Sequence, residues 1–147
     1  MSAEENKALL ERLFSDISNG DSRSFVDALH PDFAWVVTGK SSWSGRYGGG
    51  IENVREIFLR PLHSRFARPN RTKAHRMTAE GNIVVVEAIG DSETPEGTAY
   101  QNEYCLIFVF RDGMIAEQIE YMDSAYCEHV LGKAPDVYAA YEKQRAA

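Results

Sequence analysis

The chain has 147 residues, of which 44% are hydrophobic and 26% are charged, and its formal net charge is −6. This length predicts one domain that is large enough to bury a hydrophobic core. The negative charge argues against a nucleic-acid partner, because binding to phosphates needs concentrated positive charge. No apolar stretch approaches the ~20 residues that span a bilayer, so no membrane partner is expected.

The first half of the chain alternates between helical and extended patterns. Apolar residues at helical spacing predict two helices before Pro31. A strand is predicted over residues 33–38, and a loop rich in glycine and serine over residues 41–50. Apolar periodicity over residues 51–66 predicts a further helix, which Pro61 should kink or divide.

The second half is dominated by strand patterns. Strands are predicted over residues 72–79 and 83–89, followed by a turn-rich segment. The stretch from Tyr100 to Asp123 predicts a hairpin of two long strands around Asp112-Gly113, a dipeptide typical of tight hairpin turns.

A short helix over residues 124–131 ends the pattern, and the tail over residues 136–147 is helical or frayed. The order α-α-β-α-β-β-β-β-α predicts an α+β fold, with a curved, mostly antiparallel sheet wrapped around the N-terminal helices. A long twisted sheet of this kind leaves a conical hollow against its helices, which is a natural ligand site.

Polar residues interrupt one face of the hairpin's first strand. Because side chains alternate between faces, Tyr100, Asn102 and Tyr104 share a face with Leu106 and Phe108. Asn102 and Tyr104 could donate hydrogen bonds to a substrate oxygen as it gains charge. The alternative is a satisfied polar pair in the core. Tyr100 is expected at the rim of the pocket.

Asp123, at the end of the hairpin, is the candidate acid/base. A carboxyl group desolvated by apolar neighbours is suited to proton transfer near neutral pH. Such a group can remove a proton alpha to a carbonyl and return it elsewhere, which gives isomerisation or aldol closure. Two alternatives stay open: Asp123 caps the following helix, or it is exposed to solvent.

Four residues are interpreted as the lining of the cavity, with ordinary core packing as the alternative: Trp35, Tyr47, Phe58 and Leu62. Tyr47 follows a glycine-rich loop and could close over a ligand. His75 and Glu87 lie in consecutive strands and could face each other in the cavity as a second acid/base pair. Both faces of the strand over residues 83–89 are apolar, so alternation does not show which way Glu87 points. The alternatives are a surface His75 and a salt-bridged or solvated Glu87.

Neither the histidines nor the two cysteines, Cys105 and Cys127, show metal-ligand spacing, so no metal site is predicted. The cysteines are interpreted as free thiols in a reducing compartment. The N-terminus, Met1–Lys7, is polar and acidic, unlike a secretory signal, and a cytoplasmic location is expected.

The opposite face of the hairpin is also apolar, through Cys105, Ile107 and Val109. A sheet that is apolar on both faces needs cover on both. The helices cover one face, so a second copy of the chain is predicted on the other, which makes a homodimer.

Four stretches, in this order, resemble the SnoaL-like, ketosteroid isomerase-related branch of the nuclear transport factor 2-like superfamily. They are Trp35-Val-Val-Thr-Gly39, Ser44-Gly-Arg-Tyr47, Arg60-Pro-Leu62, and Tyr100–Asp123 with its Tyr-x-Asn-x-Tyr and Glu-Tyr-x-Asp elements. The resemblance implies a single SnoaL-like domain with a core over about residues 5–132 and a tail over residues 133–147. It also implies a cone-shaped cavity, usually a dimer, and usually neither metal nor organic cofactor.

Members of this superfamily include isomerases, polyketide cyclases, epoxide hydrolases, dehydratases and proteins without catalytic activity. In the cyclases the acid/base is an aspartate on the last strand, and Asp123 matches that position. The tyrosine that ketosteroid isomerase carries in its first helix has no counterpart here, where Phe14 stands. Asn102 and Tyr104 stand where epoxide hydrolases would carry charged residues.

The sequence therefore predicts a protein that binds a small apolar molecule. As an enzyme it would be a cofactor-free isomerase or cyclase that acts on a carbonyl compound. The alternatives are a non-catalytic ligand-binding or accessory homodimer, an epoxide hydrolase or dehydratase, and a dimerisation module whose own side chains fill the cavity.

Overall fold

A computed structural model describes residues 1–135 of the chain. Two helices begin it, a third helical stretch lies in the middle, and a fourth follows the last strand. The helices are α1 (Ala3–Ser18), α2 (Arg23–Asp27), α3 (Ile51–Val54), a π-helical turn (Arg55–Leu59), α4 (Arg60–His63) and α5 (Ser124–Leu131). No helix among the described residues combines the length and apolarity needed to cross a membrane. The tail predicted as helical or frayed lies outside the described residues.

Six strands form one curved sheet in the order β2-β1-β8-β7-β4-β3. These strands are β1 (Leu29–Val37), β2 (Gly45–Tyr47), β3 (Lys73–Glu80), β4 (Ile83–Ile89), β7 (Glu103–Arg111) and β8 (Met114–Met122). Neighbours are antiparallel except β1 and β8, which are parallel. Two short strands, β5 (Ser92–Glu93) and β6 (Ala99–Tyr100), pair separately. The predicted α+β class, with its mostly antiparallel curved sheet and N-terminal helices, is confirmed.

The hairpin of β7 and β8 turns at Asp112-Gly113, as predicted. Both residues have positive φ angles, 54° and 75°, which tight hairpin turns of this kind require. Next to the turn, Phe110 pairs with Ile115, but Val109 then pairs with Glu117. One extra residue of β8 is thus inserted into the ladder as a β-bulge.

The bulge decides which β8 side chains face inwards, because a shift of one residue moves every later side chain to the other face. Beyond it, Phe108 pairs with Gln118 and Leu106 with Glu120. Phe108 is fully buried and makes edge-to-face contacts with Phe14 of α1, at 5.8 Å between ring centroids. Gln118 and Glu120 consequently lie on the face that the helices cover, which we call the concave face.

Three elements depart from the sequence prediction. β1 begins at Leu29, ahead of Pro31, and its ladder with β8 is irregular between Leu29 and Ala34, which accommodates a residue that cannot donate. β2 lies inside the predicted loop and pairs with the end of β1. The predicted first strand of the hairpin is interrupted after Tyr100, which belongs to β6 and pairs with Ser92.

The helical stretch around Pro61 is divided, as predicted, by a π-helical turn. Arg60 N donates to Arg55 O, five residues back. Proline has no N–H to donate, and its ring crowds the carbonyl four residues earlier. The wider turn directly before Pro61 accommodates that crowding and carries Phe58 into the core, where it is 2% exposed.

Candidate functional site

A cavity of about 540 Å³ lies between the concave face and the helices. This volume falls within the range of small-molecule pockets, roughly 300–1,000 Å³. Its lining is largely apolar and aromatic, and it includes Trp35, Phe58, Leu62, Phe66, Leu106 and Phe108. Such a lining buries an apolar ligand and makes any polar group in the wall prominent.

Glu120 of β8 is the acidic residue in that wall. It is 9% exposed, and no cation among the described residues forms an ion pair with it. Burial raises the pKa of Glu120 to about 7, an effect that the nearby indole N–H of Trp35 opposes. That N–H nevertheless makes no hydrogen bond of normal geometry within residues 1–135. Glu120 therefore carries a carboxyl group that exchanges its proton near neutral pH.

The backbone of Glu120 is held by two hydrogen bonds from Thr38. Thr38 donates twice to the Glu120 carbonyl oxygen, from N at 3.0 Å and from Oγ1 at 2.9 Å. These bonds join the ends of β1 and β8, and they fix the backbone position from which the Glu120 side chain extends.

Tyr104 supplies a hydroxyl group near Glu120. Burial, and then the charge of Glu120, raise the pKa of Tyr104 above its ordinary value, so the phenol keeps its proton. Asn70 Nδ2 donates to the Tyr104 hydroxyl oxygen at 3.4 Å. Because Asn70 acts as the donor in that bond, the proton of Tyr104 is left for its other partner, the Tyr100 hydroxyl, or for a ligand oxygen.

Of the residues that the sequence predicts as site residues, five line this cavity: Trp35, Phe58, Leu62, Tyr100 and Tyr104. Five do not: Tyr47, His75, Glu87, Asn102 and Asp123. The structure thus brings together the predicted lining residues other than Tyr47 and one predicted hydrogen-bond donor, Tyr104.

Asp123 begins α5. Its Oδ1 accepts a hydrogen bond from Tyr126 N at 3.0 Å, and the residue is exposed. This arrangement matches two of the alternatives that the sequence left open, the helix cap and solvent exposure. A carboxylate engaged in this way lies three residues beyond Glu120, on the outside of the cavity.

Asn102 is 1% exposed and uses its whole side chain inside the protein. Its Nδ2 donates to the Tyr100 hydroxyl at 2.8 Å and to Asp123 O at 3.0 Å. Its Oδ1 accepts from Glu103 N at 2.8 Å and from Asp123 N at 3.2 Å. Asn102 is therefore the satisfied core amide of the sequence alternative, and it fastens β7 to the start of α5.

Tyr47 packs behind the cavity wall. Its ring stacks on Phe58 at 4.4 Å between centroids, and its hydroxyl donates to Trp43 O at 2.7 Å. Tyr47 therefore supports Phe58 from the far side and does not close over the cavity.

His75 and Glu87 do not face each other in the cavity. Glu87 lies on the outer face and pairs with Arg76, whose NH2 donates to Oε1 at 2.8 Å. That hydrogen bond lowers the pKa of Glu87. His75 is exposed at a register shift between Ala74 and Arg76. The proposed second acid/base pair is therefore corrected, because the irregularity of β3 and the arginine direct the two side chains outwards.

Sequence reasoning missed Gln118 and Glu120 because of the bulge. If the two strands are paired outwards from the tight turn without an extra residue, the residues of β8 that pair with the apolar face of β7 are Glu117, Ile119 and Tyr121. Both faces of β8 mix polar and apolar residues, so alternation alone does not reveal the bulge. His63 was also missed; it lines the cavity, and burial lowers its pKa.

Within residues 1–135, no three histidine, cysteine, aspartate or glutamate side chains cluster closely enough to hold a metal ion. The polar groups that line the cavity include the carboxyl group of Glu120, the phenols of Tyr100 and Tyr104, the amides of Asn70 and Gln118, the indole of Trp35 and the imidazole of His63. This set can hold a ligand oxygen and move a proton.

Solved structures share this architecture. One is an NTF2-like protein of unknown function from Burkholderia pseudomallei K96243, with 18% identity over 89% of this chain and 98% of that chain and a TM-score of 0.73. A second is a putative SnoaL-like polyketide cyclase from Jannaschia sp. CCS1, with 19% identity over 90% and 95% and a TM-score of 0.70. A third is TerC, co-crystallised with polyporic acid, with 19% identity over 86% and 97% and a TM-score of 0.72. The fold is therefore that of the NTF2-like proteins.

The family model of the SnoaL-like domain matches residues 10–118. The chain therefore belongs to the SnoaL-like domain family, as the sequence motifs indicated. The comparison with curated proteins found no match.

Proposed function

We propose that the protein binds a small, largely apolar carbonyl compound in the cavity and transfers a proton on it, with Glu120 as the acid/base. The observation that carries this proposal is the buried Glu120 carboxyl group with a pKa of about 7. A group whose pKa lies near the working pH is present in both forms, so it can accept a proton and later return it.

Two side chains divide the chemistry. The Glu120 carboxylate removes a proton from the carbon next to the carbonyl, and the electron pair moves onto the carbonyl oxygen. The Tyr104 hydroxyl donates a hydrogen bond to that oxygen as it gains charge. Where the substrate has a carbon–carbon double bond next to the deprotonated carbon, the Glu120 carboxylic acid then returns the proton to the far end of that double bond, which completes an isomerisation to the conjugated ketone. Alternatively, the enolate attacks a second carbonyl of the same molecule, which closes a ring and leaves an alkoxide that takes up the proton.

A non-catalytic ligand-binding protein is the second candidate. Asp123 favours it, because the residue that matches the catalytic aspartate of the cyclases caps α5 and is exposed. The two candidates differ in the role of Glu120, which would then serve only to hold a polar group of the ligand.

We also propose that the outer face of the sheet joins two copies of the chain. Ile83, Ile89 and Tyr121 lie on that face and are 38%, 43% and 50% exposed. Large apolar side chains grouped on one exposed face are typical of interaction sites. Light scattering should report a dimer for the wild type and a monomer for Ile89→Glu, and a wild-type monomer would contradict the proposal.

The catalytic proposal is tested by deuterium uptake into a panel of cyclic ketones and polyketide-like carbonyls in heavy water, read by mass spectrometry. The wild type should catalyse uptake into at least one compound. Glu120→Gln should lose about 10²–10⁴ of that rate, and Tyr104→Phe at least about tenfold.

Two variants serve as controls for the loss of a negative charge. Glu117→Gln removes a carboxylate from the same strand on the outer face, where Glu117 pairs with Arg46, and it should retain the wild-type rate. Asp123→Asn should retain most of it. Loss in Asp123→Asn with retention in Glu120→Gln would assign the acid/base role to Asp123. No uptake by the wild type would favour the binding protein.

A further inference from the structure

Gln118 lies in the cavity wall with an amide oxygen that nothing in the described chain satisfies. The residue is 5% exposed and lines the cavity. Its Oε1 has no hydrogen-bond partner within residues 1–135. Trp35 is the register partner of Gln118 on β1. Its indole Nε1 is also buried and also has no hydrogen-bond partner within residues 1–135. An acceptor and a donor therefore lie side by side in an apolar wall.

The buried amides of the described chain differ: Asn102 is fully satisfied, whereas the side-chain oxygens of Asn6 and Gln118 have no partner within residues 1–135, and of these two only Gln118 lines the cavity. Asn102 makes four hydrogen bonds of normal length through its side chain to neighbouring groups. Gln118 is also buried, at 5% exposed, yet its oxygen has no such partner in the described chain. Buried polar atoms without partners are rare and costly, so the unused Gln118 amide points to a partner that comes from a ligand.

The position of Gln118 relative to Glu120 limits where that partner group can be. The two residues are separated by one residue on β8 and lie on the same face, which places their Cα atoms about 7 Å apart. Their side chains have the same length. A ligand whose reacting carbon lies at Glu120 therefore presents its polar group to Gln118 across roughly one six-membered ring.

We infer that Gln118 is the residue by which the cavity selects its ligand, and that it selects cyclic ketones with a hydroxyl group one ring away from the enolisable carbon. A hydroxyl fits because it donates to Oε1 and can accept from Nε2 or from the Trp35 indole. A ligand without it would leave the amide unsatisfied and should bind roughly tenfold more weakly. This inference rests on the proposed function only in that Glu120 marks the enolisable carbon.

The test measures binding of three matched compounds: β-tetralone, its derivative with a hydroxyl on the aromatic ring para to the acidic CH₂, and the methyl ether of that derivative. Binding can be followed by quenching of tryptophan fluorescence, since both tryptophans of the chain, Trp35 and Trp43, line the cavity. The wild type should bind the hydroxy compound roughly tenfold or more tightly than the other two.

Gln118→Met, which keeps the length of the side chain and removes the amide, should bring the three affinities to within about twofold. Gln118→Leu provides a second apolar variant, and Gln101→Met, at an exposed position, should keep the wild-type preference. Urea unfolding without ligand separates selection from a structural role. The apolar variants should be at least as stable as the wild type, because they remove an unsatisfied amide.

Three outcomes would overturn the inference: no preference for the hydroxy compound in the wild type, the same preference in Gln118→Met, or no binding of any of the three compounds. Failure of the proposed function gives a different result. If the preference is present and depends on Gln118, but Glu120→Gln does not affect deuterium uptake, selection by Gln118 holds and proton transfer by Glu120 does not.

Discussion

The two faces of the sheet each carry a glutamate, and their surroundings give the two carboxyl groups opposite properties. Glu120 lies on the concave face among aromatic side chains, and burial raises its pKa to about 7. Glu87 lies on the outer face, and a hydrogen bond from Arg76 lowers its pKa. A carboxylate paired with an arginine on the surface holds a charge, whereas an unpaired one in an apolar wall can exchange a proton. The comparison therefore favours the concave face as the place of the proposed chemistry.

The largest expected effect is on the pH dependence of stability. In the unfolded chain Glu120 ionises near its ordinary value of 4.5, but in the folded protein it ionises near 7. Between these pH values the unfolded state has released the proton and the folded state has not. The contribution of Glu120 to the free energy of unfolding therefore falls as pH rises through this window, by about 3 kcal/mol for a shift of this size, and is level above it.

Glu120→Gln removes that dependence, so its stability relative to the wild type should rise by about 3 kcal/mol between pH 4.5 and pH 7. Urea unfolding of both proteins at several pH values measures the difference. Glu117→Gln is the matched control on the outer face and should show no comparable rise. A constant difference between Glu120→Gln and the wild type across this range would contradict the raised pKa.

A smaller difference is expected between the losses of stability that a valine-to-alanine substitution causes on the two faces. Val86 faces the core and is fully buried, whereas its neighbour Val85 faces outwards and is half-buried. Val86→Ala should lower the free energy of unfolding by about 2–3 kcal/mol, through lost apolar burial and the space left behind. Val85→Ala should cost about half as much or less where the outer face is open to solvent, as in the monomeric Ile89→Glu background. Equal losses in urea unfolding would mean that the outer face is as well covered as the core, as in a tight dimer.

The smallest effect is expected for the ion pair of the outer face. Arg76→Ala should leave the urea midpoint nearly unchanged, because exposed pairs contribute little. It should also return the pKa of Glu87 upwards towards its ordinary value, which a carboxyl NMR titration can follow. A large loss of stability would show that Arg76 has a structural role beyond this pair.

The elements could be predicted from the sequence wherever one local signal dominates. Asp112-Gly113 specifies the hairpin turn, and Pro61 specifies an interruption of the middle helix, since each residue restricts its own backbone. Gly132 likewise ends α5 as predicted. The apolar lining, such as Trp35 and Phe58, could also be predicted, because large aromatic side chains on inward faces serve either as core or as cavity wall.

The acid/base candidate could not be predicted, because its position depends on one inserted residue. The bulge near Ala116 changes the register and turns Gln118 and Glu120 inwards. Sequence alternation offers Asp123 instead, and Asp is also a preferred helix cap. The choice between these roles depends on contacts distant in sequence, such as the pairing of Leu106 with Glu120.

The most direct measurement is a carbon-13 NMR titration of the glutamate carboxyl groups, with the Glu120 signal assigned by its disappearance in Glu120→Gln. The account predicts that the Glu120 signal titrates with a midpoint near pH 7. It also predicts that Glu87 titrates below the ordinary value for a glutamate. A midpoint for Glu120 at or below about 4.5 would contradict the account. It would mean that burial does not raise the pKa of this carboxyl group, which would then be fully ionised near neutral pH and unsuited to returning a proton.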